Sequence, residues 1–89
     1  MRFEFDPRKS ASNRLKHGID FVEAQSLWAV RAVVLKSDRG SETRYARIGM
    51  HADGKLWTAI YTHRDENVRI ISVRPASRGD RRIYEEKVS

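Results

Sequence analysis

Six arginines and no lysine fall between positions 64 and 82, and only three acidic residues in that stretch offset their charge. Because a guanidinium group is planar, carries five N–H donors and stays charged at physiological pH, it can make paired hydrogen bonds to a phosphate. The formal net charge of the chain is +6. Together these features indicate a surface that binds nucleic acid or phosphate, and a solvated basic face is the alternative.

Arg64 and Arg74 are the first candidates for direct contact with a reacting phosphate, because each is predicted at the end of a strand. If residues 65–67 form a three-residue turn, position 62 pairs with position 70, and both arginines share one face of the hairpin. The alternative is that one of the two forms a structural ion pair with a carboxylate of the C-terminal segment, which offers Asp80, Glu85 and Glu86.

Two further side chains are candidates for catalysis. His17 could transfer protons, because histidine titrates unaided near neutral pH; its alternative role is a cation at the C-terminal end of a helix. Tyr84 could stack on a base or donate to a phosphate, and a core position is equally open. The phosphates on either side of the reacting one are expected to be bound by other basic residues: Lys16, Arg69, Arg78, Arg81 and Arg82.

The composition excludes several classes of protein. Without cysteine there is no disulfide framework or thiolate zinc site, and the three histidines lack ligand spacing, so we expect no metal and no cofactor. No apolar run is long enough to span a membrane, and the N-terminus does not resemble a signal peptide, which favours the cytoplasm. The length predicts a single domain over 1–89.

The N-terminal third predicts one short strand and two helices. The strand covers 2–5, and a helix follows that Asp6 caps and Gly18 ends, with Ala11 and Leu15 as its apolar stripe. Residues 20–23 have the spacing of a capping box, which predicts a second helix that ends near position 28.

The rest of the chain predicts a meander of strands followed by a helix. The expected strands cover 31–36, 44–51, 55–63 and 68–74, with left-handed turn residues at Gly54 and Asn67. A second capping box over 77–80 predicts a helix over 78–87. One sheet face is expected to be core: Ala46, Ile48, Met50, Leu56, Ile60 and Ile70. The more open face would carry Tyr45, Arg47, His51, Trp57, Tyr61, Arg69, Ile71 and Val73.

Three collinear groups of residues extend over nearly the whole chain. The first contains Phe5-Asp6-Pro7-Arg8-Lys9, Asn13 and Lys16-His17-Gly18-Ile19; the second contains Ile48-Gly49, Leu56 and Tyr61-Thr62-His63-Arg64; the third contains Arg69-Ile70-Ile71-Ser72-Val73-Arg74, Ala76-Ser77-Arg78, Asp80-Arg81-Arg82 and Tyr84-Glu85-Glu86. In this order and at these spacings they resemble the BrnT-type toxins of type II toxin–antitoxin systems. The chain departs from that pattern at Val30, His63, Pro75 and Gly79.

The resemblance implies a RelE-like α+β domain, with an antiparallel sheet of about four strands, two N-terminal helices and one C-terminal helix. It also implies an endoribonuclease that cuts RNA and stops translation, and a cognate BrnA-type antitoxin through which alone the protein meets DNA. In metal-free cleavage the 2′-hydroxyl of the RNA is the nucleophile, so the enzyme must move protons and stabilise a phosphorane. Two alternatives remain: a non-enzymatic basic RNA-binding module, and a partner whose basic face only binds an acidic protein.

Overall fold

A five-stranded sheet with helical segments on both faces is the frame of the computed structural model, which describes residues 1–38 and 40–88. In chain order the elements are β1 (Phe3–Glu4), α1 (Pro7–His17), a 3-10 helix (Glu23–Trp28), β2 (Ala32–Ser37), β3 (Arg44–Met50), β4 (Leu56–Arg64), β5 (Asn67–Pro75) and α2 (Arg78–Val88). The predicted α+β class and the C-terminal helix are confirmed. The second N-terminal helix is a 3-10 helix rather than an α-helix.

The strands lie in the order β1-β5-β4-β3-β2, and every neighbouring pair is antiparallel except β1 with β5. The prediction of about four antiparallel strands was therefore wrong, because β1 adds a fifth, parallel strand at one edge. This pairing places Phe3 beside Val68, whose amide donates to the carbonyl of Arg2 at 2.8 Å. The two partners are far apart in the chain, and no local signal in the sequence marks their contact.

α1 begins and ends where the sequence predicts. The carboxylate of Asp6 accepts a hydrogen bond from the amide of Arg8 at 2.8 Å, and Pro7 occupies the first helical position. Gly18 ends the helix with a φ of 84°, and its amide donates to the carbonyl of Arg14 at 2.8 Å. Any other L-residue would be strained at that φ, so glycine is what lets the chain leave the helix here.

The inner face of α1 is polar, and the prediction of an apolar stripe was wrong. Leu15 is 90% exposed and Ala11 is also exposed. Ser10 and Asn13 are buried instead, and they hydrogen-bond to backbone groups of the segment after the helix and of β5. These backbone groups would otherwise be buried without partners, so hydroxyl and amide side chains replace hydrophobic ones at this contact.

The hydrophobic core lies between one face of the sheet and the chain segment that contains α1 and the 3-10 helix. From this segment Ile19, Phe21 and Leu27 are at most 2% exposed. The strands contribute Trp57, Ala59, Tyr61, Val68, Ile70 and Val73. We call this side of the sheet the core face and the other side the reverse face.

The two sheet faces were predicted the wrong way round for β3 and β4, whereas Ile70 of β5 belongs to the core as predicted. Trp57, Tyr61 and Val73 belong to the core, although the sequence analysis placed them on the open face. Both sides of β4 carry apolar residues, so alternation along the strand does not decide which side the N-terminal helices cover. Ile48, expected in the same core as Ile70, is buried on the reverse face, where it pairs with Thr58.

The turn between β4 and β5 is one residue shorter than predicted. Arg64 pairs with Asn67, and Asp65 rather than Asn67 has the positive φ, at 55°. A bulge after Ile60 then leaves Ile71 without a partner on β4. Because the shorter turn and the bulge each shift the side-chain alternation by one residue, their effects cancel beyond the bulge.

α2 begins with the predicted capping box. The amide of Asp80 donates to the hydroxyl of Ser77 at 3.1 Å, and the amide of Ser77 donates to the carboxylate of Asp80 at 3.2 Å. The helix packs on the reverse face against β2 and β3. Over 1–38 and 40–88, no helix is long and apolar enough to cross a membrane.

Candidate functional site

An open groove of about 820 Å³ lies on the reverse face, between the β2–β3 hairpin and the start of α2. Its floor is apolar and consists of Leu35, Ala46 and Ile60. Charged and polar groups form its walls, together with Tyr45: Lys36, Ser37, Ser41, Glu42, Arg44, Arg74 and Asp80. A groove with an apolar floor and cationic walls suits a ligand that combines flat bases with phosphates.

Arg74 is held in a fixed position at the edge of the groove. Its guanidinium Nη1 lies 3.0 Å from Oδ2 of Asp80, which also accepts from the hydroxyl of Thr58 at 2.9 Å. The side chain of Asp80 is only 13% exposed, whereas that of Arg74 is 41% exposed. The alternative of a structural ion pair with Asp80 is therefore confirmed, yet the guanidinium keeps N–H donors that can reach a ligand.

The surroundings of Asp80 keep its carboxylate ionised. Burial by itself would raise the pKa of Asp80. The backbone hydrogen bond from Ser77, the hydroxyl of Thr58 and the charge of Arg74 outweigh that effect, and the pKa lies below its ordinary value of 3.8. An ionised Asp80 is what orients Arg74, so the pair stays assembled at neutral pH.

We expect Asp80→Ala to lower the free energy of unfolding at pH 7 by about 1–3 kcal/mol, because three donors lose their buried acceptor. Since the pKa of Asp80 is lowered by folding, its contribution is complete above pH 3.8 and is lost as the pH falls through the folded-state pKa. Urea unfolding at pH 7 and at pH 2 measures both effects. Glu66→Ala, which removes an exposed carboxylate, is the control, and an equal loss in both variants would contradict the prediction.

Arg64 and Arg74 share the reverse face but do not converge. Arg74 pairs with Thr58, and Arg64 lies six residues further along β4, which is about 20 Å at the usual rise of a strand. Arg69 lies 3.6 Å from the carboxylate of Glu4. The other predicted arginines are exposed and make no ion pair with any described residue: Arg64, Arg78, Arg81 and Arg82.

The remaining predicted side chains lie outside the groove. His17 is the last residue of α1, which packs on the side of the core face, and Lys16 beside it is exposed. Tyr84 is half-buried on α2 and is not among the described residues that line the groove. The structure therefore brings Arg74 together with Asp80 in the groove, and it separates His17 from both.

Sequence reasoning missed several polar residues of the groove. Lys36 and Arg44 were predicted only as strand ends, and Glu42 only as part of the connection between the two strands. Thr58 was missed because a threonine inside a strand carries no functional signal. The capping box at 77–80 was a signal for Asp80, because it placed that carboxylate at the start of α2. Among residues 1–38 and 40–88, no group of three or more His, Asp or Glu side chains could hold a metal.

Comparison with known proteins identifies the family to which this chain belongs. No curated protein sequence is similar enough to this chain to count as a match. The structure is similar to the crystal structure of the Brucella abortus ribonuclease toxin, BrnT, with a TM-score of 0.68 and 26% sequence identity, over 88% of this chain and 99% of that chain. Residues 5–80 match the family described as "Ribonuclease toxin, BrnT, of type II toxin-antitoxin system". The chain therefore belongs to the BrnT family of ribonuclease toxins.

Proposed function

We propose that this protein is a metal-independent endoribonuclease toxin that cuts RNA, stops translation in the cytoplasm and is neutralised by a cognate antitoxin. The single observation that carries the proposal, beyond membership of the family, is Arg74. It stands at the edge of the groove with its orientation fixed by Asp80. A guanidinium that is already oriented can stabilise developing charge without reorganising during the reaction.

In the proposed reaction the 2′-oxygen of the RNA attacks the adjacent phosphorus, and the bond from phosphorus to the 5′-oxygen breaks. Arg74 donates hydrogen bonds to the non-bridging oxygens of the phosphorane, where negative charge accumulates. Arg44 on the groove wall, together with the exposed arginines of α2, holds the flanking phosphates. The leaving 5′-oxygen takes up a proton from water, so the products are a 2′,3′-cyclic phosphate and a free 5′-hydroxyl, and hydrolysis of the ring would leave a 3′-phosphate.

Two side chains are candidates for accepting the proton of the 2′-hydroxyl. His17 remains the prediction from the sequence, and it requires the RNA to pass around the sheet because α1 lies on the other side. Glu42 lines the groove itself, is half-buried, and makes no ion pair within the described part of the chain. Tyr84 on α2 is the prediction for donating to a phosphate or stacking on a base. Separate substitutions of these residues would rank them by the loss of cleavage rate.

The alternative function is a basic RNA-binding module without catalysis. The observation in its favour is the set of exposed arginines on α2 that make no ion pair with a described residue, since they would bind phosphates whether or not the RNA is cut. Binding alone would leave labelled RNA intact during a long incubation, whereas the enzyme would shorten it.

We expect the purified, partner-free protein to cleave single-stranded RNA in the presence of EDTA, because the nucleophile comes from the substrate and arginine can carry the charge. Gel analysis of end-labelled RNA, with and without phosphatase treatment, would show termini with a cyclic phosphate or a 3′-phosphate. Arg74→Ala purified in the same way is the control for contaminating ribonuclease. An absolute requirement for a divalent ion in the chemical step would contradict the mechanism.

The proposed partner is a BrnA-type antitoxin that covers the groove and so keeps RNA out. The family description names a toxin–antitoxin system, which implies such a partner. Contact with DNA would occur only through the antitoxin. The net charge of +6 favours a partner surface of opposite sign.

A further inference from the structure

Three rings at one end of the core face are in mutual contact, and we call them the ring cluster: Tyr45, Tyr61 and His63. The rings of Tyr45 and Tyr61 are stacked, with centroids 5.3 Å apart and an angle of 22° between their planes. The ring of His63 meets both edge-on, at 5.1 Å from Tyr45 and 5.7 Å from Tyr61. The geometry follows from the sheet, because Tyr45 pairs with Tyr61 across the strands and His63 is two residues further on β4.

The ring cluster is buried at one end and open at the other. Tyr61 is only 4% exposed and contacts Trp28 of the 3-10 helix at 5.0 Å, which fixes the inner end. Tyr45 is half-buried and His63 is exposed. Tyr45 packs against the core with one side of its ring, and the exposed ring of His63 presents aromatic surface to solvent. All three side chains have a polar tip, which suits them to a flat, polar ligand.

The ring cluster has a cation, Lys36, on its own face of the sheet, and it lies near the groove at the end of the β2–β3 hairpin. Lys36 pairs with Tyr45 on the neighbouring strand, so its side chain points to the same face; its ammonium lies 4.0 Å from the carboxylate of Asp38. Arg64, also exposed, follows His63 directly in the chain and therefore lies on the reverse face, at the same end of β4. Both Lys36 and Tyr45 also line the groove. The floor of the groove is on the reverse face, so a nucleic acid strand that leaves the groove reaches the ring cluster around the end of the β2–β3 hairpin, at Tyr45.

We propose that the ring cluster is a stacking subsite for a base of single-stranded RNA, reached from the groove around the end of the β2–β3 hairpin. This inference rests on the proposed function for the identity of the substrate. Aromatic side chains flanked by cations are the common means of holding unpaired RNA, since every base offers a flat face to stack on and every nucleotide a phosphate to pair with. In this arrangement Tyr45 and His63 receive the base, and Lys36 receives a neighbouring phosphate.

The test compares two labelled probes that the protein cannot cut: a short 2′-O-methyl oligouridine, and an oligonucleotide of equal length whose residues are abasic. Fluorescence anisotropy with the wild-type chain should show tighter binding of the probe that carries bases. His63→Leu and Tyr45→Leu should weaken binding of that probe by about 5- to 100-fold and leave the abasic probe unaffected. His63→Phe and Tyr45→Phe retain a ring and should bind as the wild type does. Circular dichroism checks the fold of each variant, and the exposed position of His63 makes its variants the decisive pair.

The results separate this subsite from the proposed function. If His63→Leu binds both probes as the wild type does, or if the wild type binds the two probes equally or neither of them, the subsite is refuted whatever the protein does to natural RNA. If the bases contribute to affinity and the rings are required, the subsite stands even when natural RNA is not cut. In that case the proposed ribonuclease activity, and not the subsite, would be wrong.

Discussion

Arg74→Ala should lower the rate of RNA cleavage by about 100-fold or more, which is the usual loss when one oriented donor to a developing oxyanion is removed. The effect should appear in the rate at saturating RNA, because the arginine stabilises the phosphorane more than the bound substrate. Arg74→Lys should restore little, since an ammonium cannot reproduce the paired hydrogen bonds of a guanidinium. Single-turnover cleavage of a labelled RNA is the measurement.

The control for this prediction must separate charge and folding from catalysis. Arg8→Ala removes the same charge from an exposed position on α1 and should cleave at nearly the wild-type rate. Arg74→Ala frees the carboxylate of Asp80, so circular dichroism and thermal unfolding must show that the variant is folded. A folded Arg74→Ala protein with unchanged cleavage would remove Arg74 from the site.

The same substitution at Arg64 tests the second arginine that the sequence predicts. The sequence predicts that Arg64 contacts the reacting phosphate, in which case Arg64→Ala lowers cleavage by about 100-fold as well; an arginine that only holds a distant part of the RNA would cost less. The structure adds a further expectation. With about 20 Å of strand between them, the two arginines act on different parts of the RNA, so their losses should add in the double variant. A double variant no worse than Arg74→Ala would place both at one phosphate.

The association rate of the antitoxin should fall by at least about tenfold when salt rises from about 50 mM to about 500 mM, as expected for binding steered by opposite charges. The physical reason is the exposed set Arg64, Arg78, Arg81 and Arg82, none of which is neutralised by a described carboxylate. Stopped-flow mixing of the two proteins at several salt concentrations measures the rate. Inhibition of RNA cleavage should titrate with complex formation, because the antitoxin occludes the groove.

The control for electrostatic steering is a variant that lacks two of these positive charges. Arg81→Gln combined with Arg82→Gln should slow association at low salt and reduce its dependence on salt, while Arg8→Gln should do neither. A wild-type rate that does not change with salt would show that the partner recognises something other than the arginine-rich face.

Much of the fold was predictable because its signals are local. Asp6 and Gly18 mark the ends of α1 by hydrogen bonds within one turn. The capping box at the start of α2 works in the same way, and the turn at Gly54 needs only the φ of 80° that glycine allows. Each of these features depends on contacts between residues a few positions apart, so the local sequence is enough to predict it.

The candidate site was predictable only in part. The sequence pointed to Arg64 and Arg74 and offered Asp80, Glu85 and Glu86 as possible ion-pair partners; the structure brings Arg74 and Asp80 together. It did not reveal the groove, because Leu35, Ala46 and Ile60 come from three strands whose pairing forms the floor. Nor did it reveal the ring cluster, since Tyr45 and Tyr61 meet only through the register of β3 with β4.

By itself the sequence determined the helix ends, the strand segments, the basic charge and the resemblance to a family. Only the tertiary structure decided which face of the sheet is core. β4 is apolar on both sides, and the core forms on the side that the N-terminal helices cover. The tertiary structure also decided the parallel pairing of β1 and the bulge at Ile71. A shift of one residue exchanges the two faces of a strand, and contacts between distant segments set that shift, so no local pattern could have supplied it.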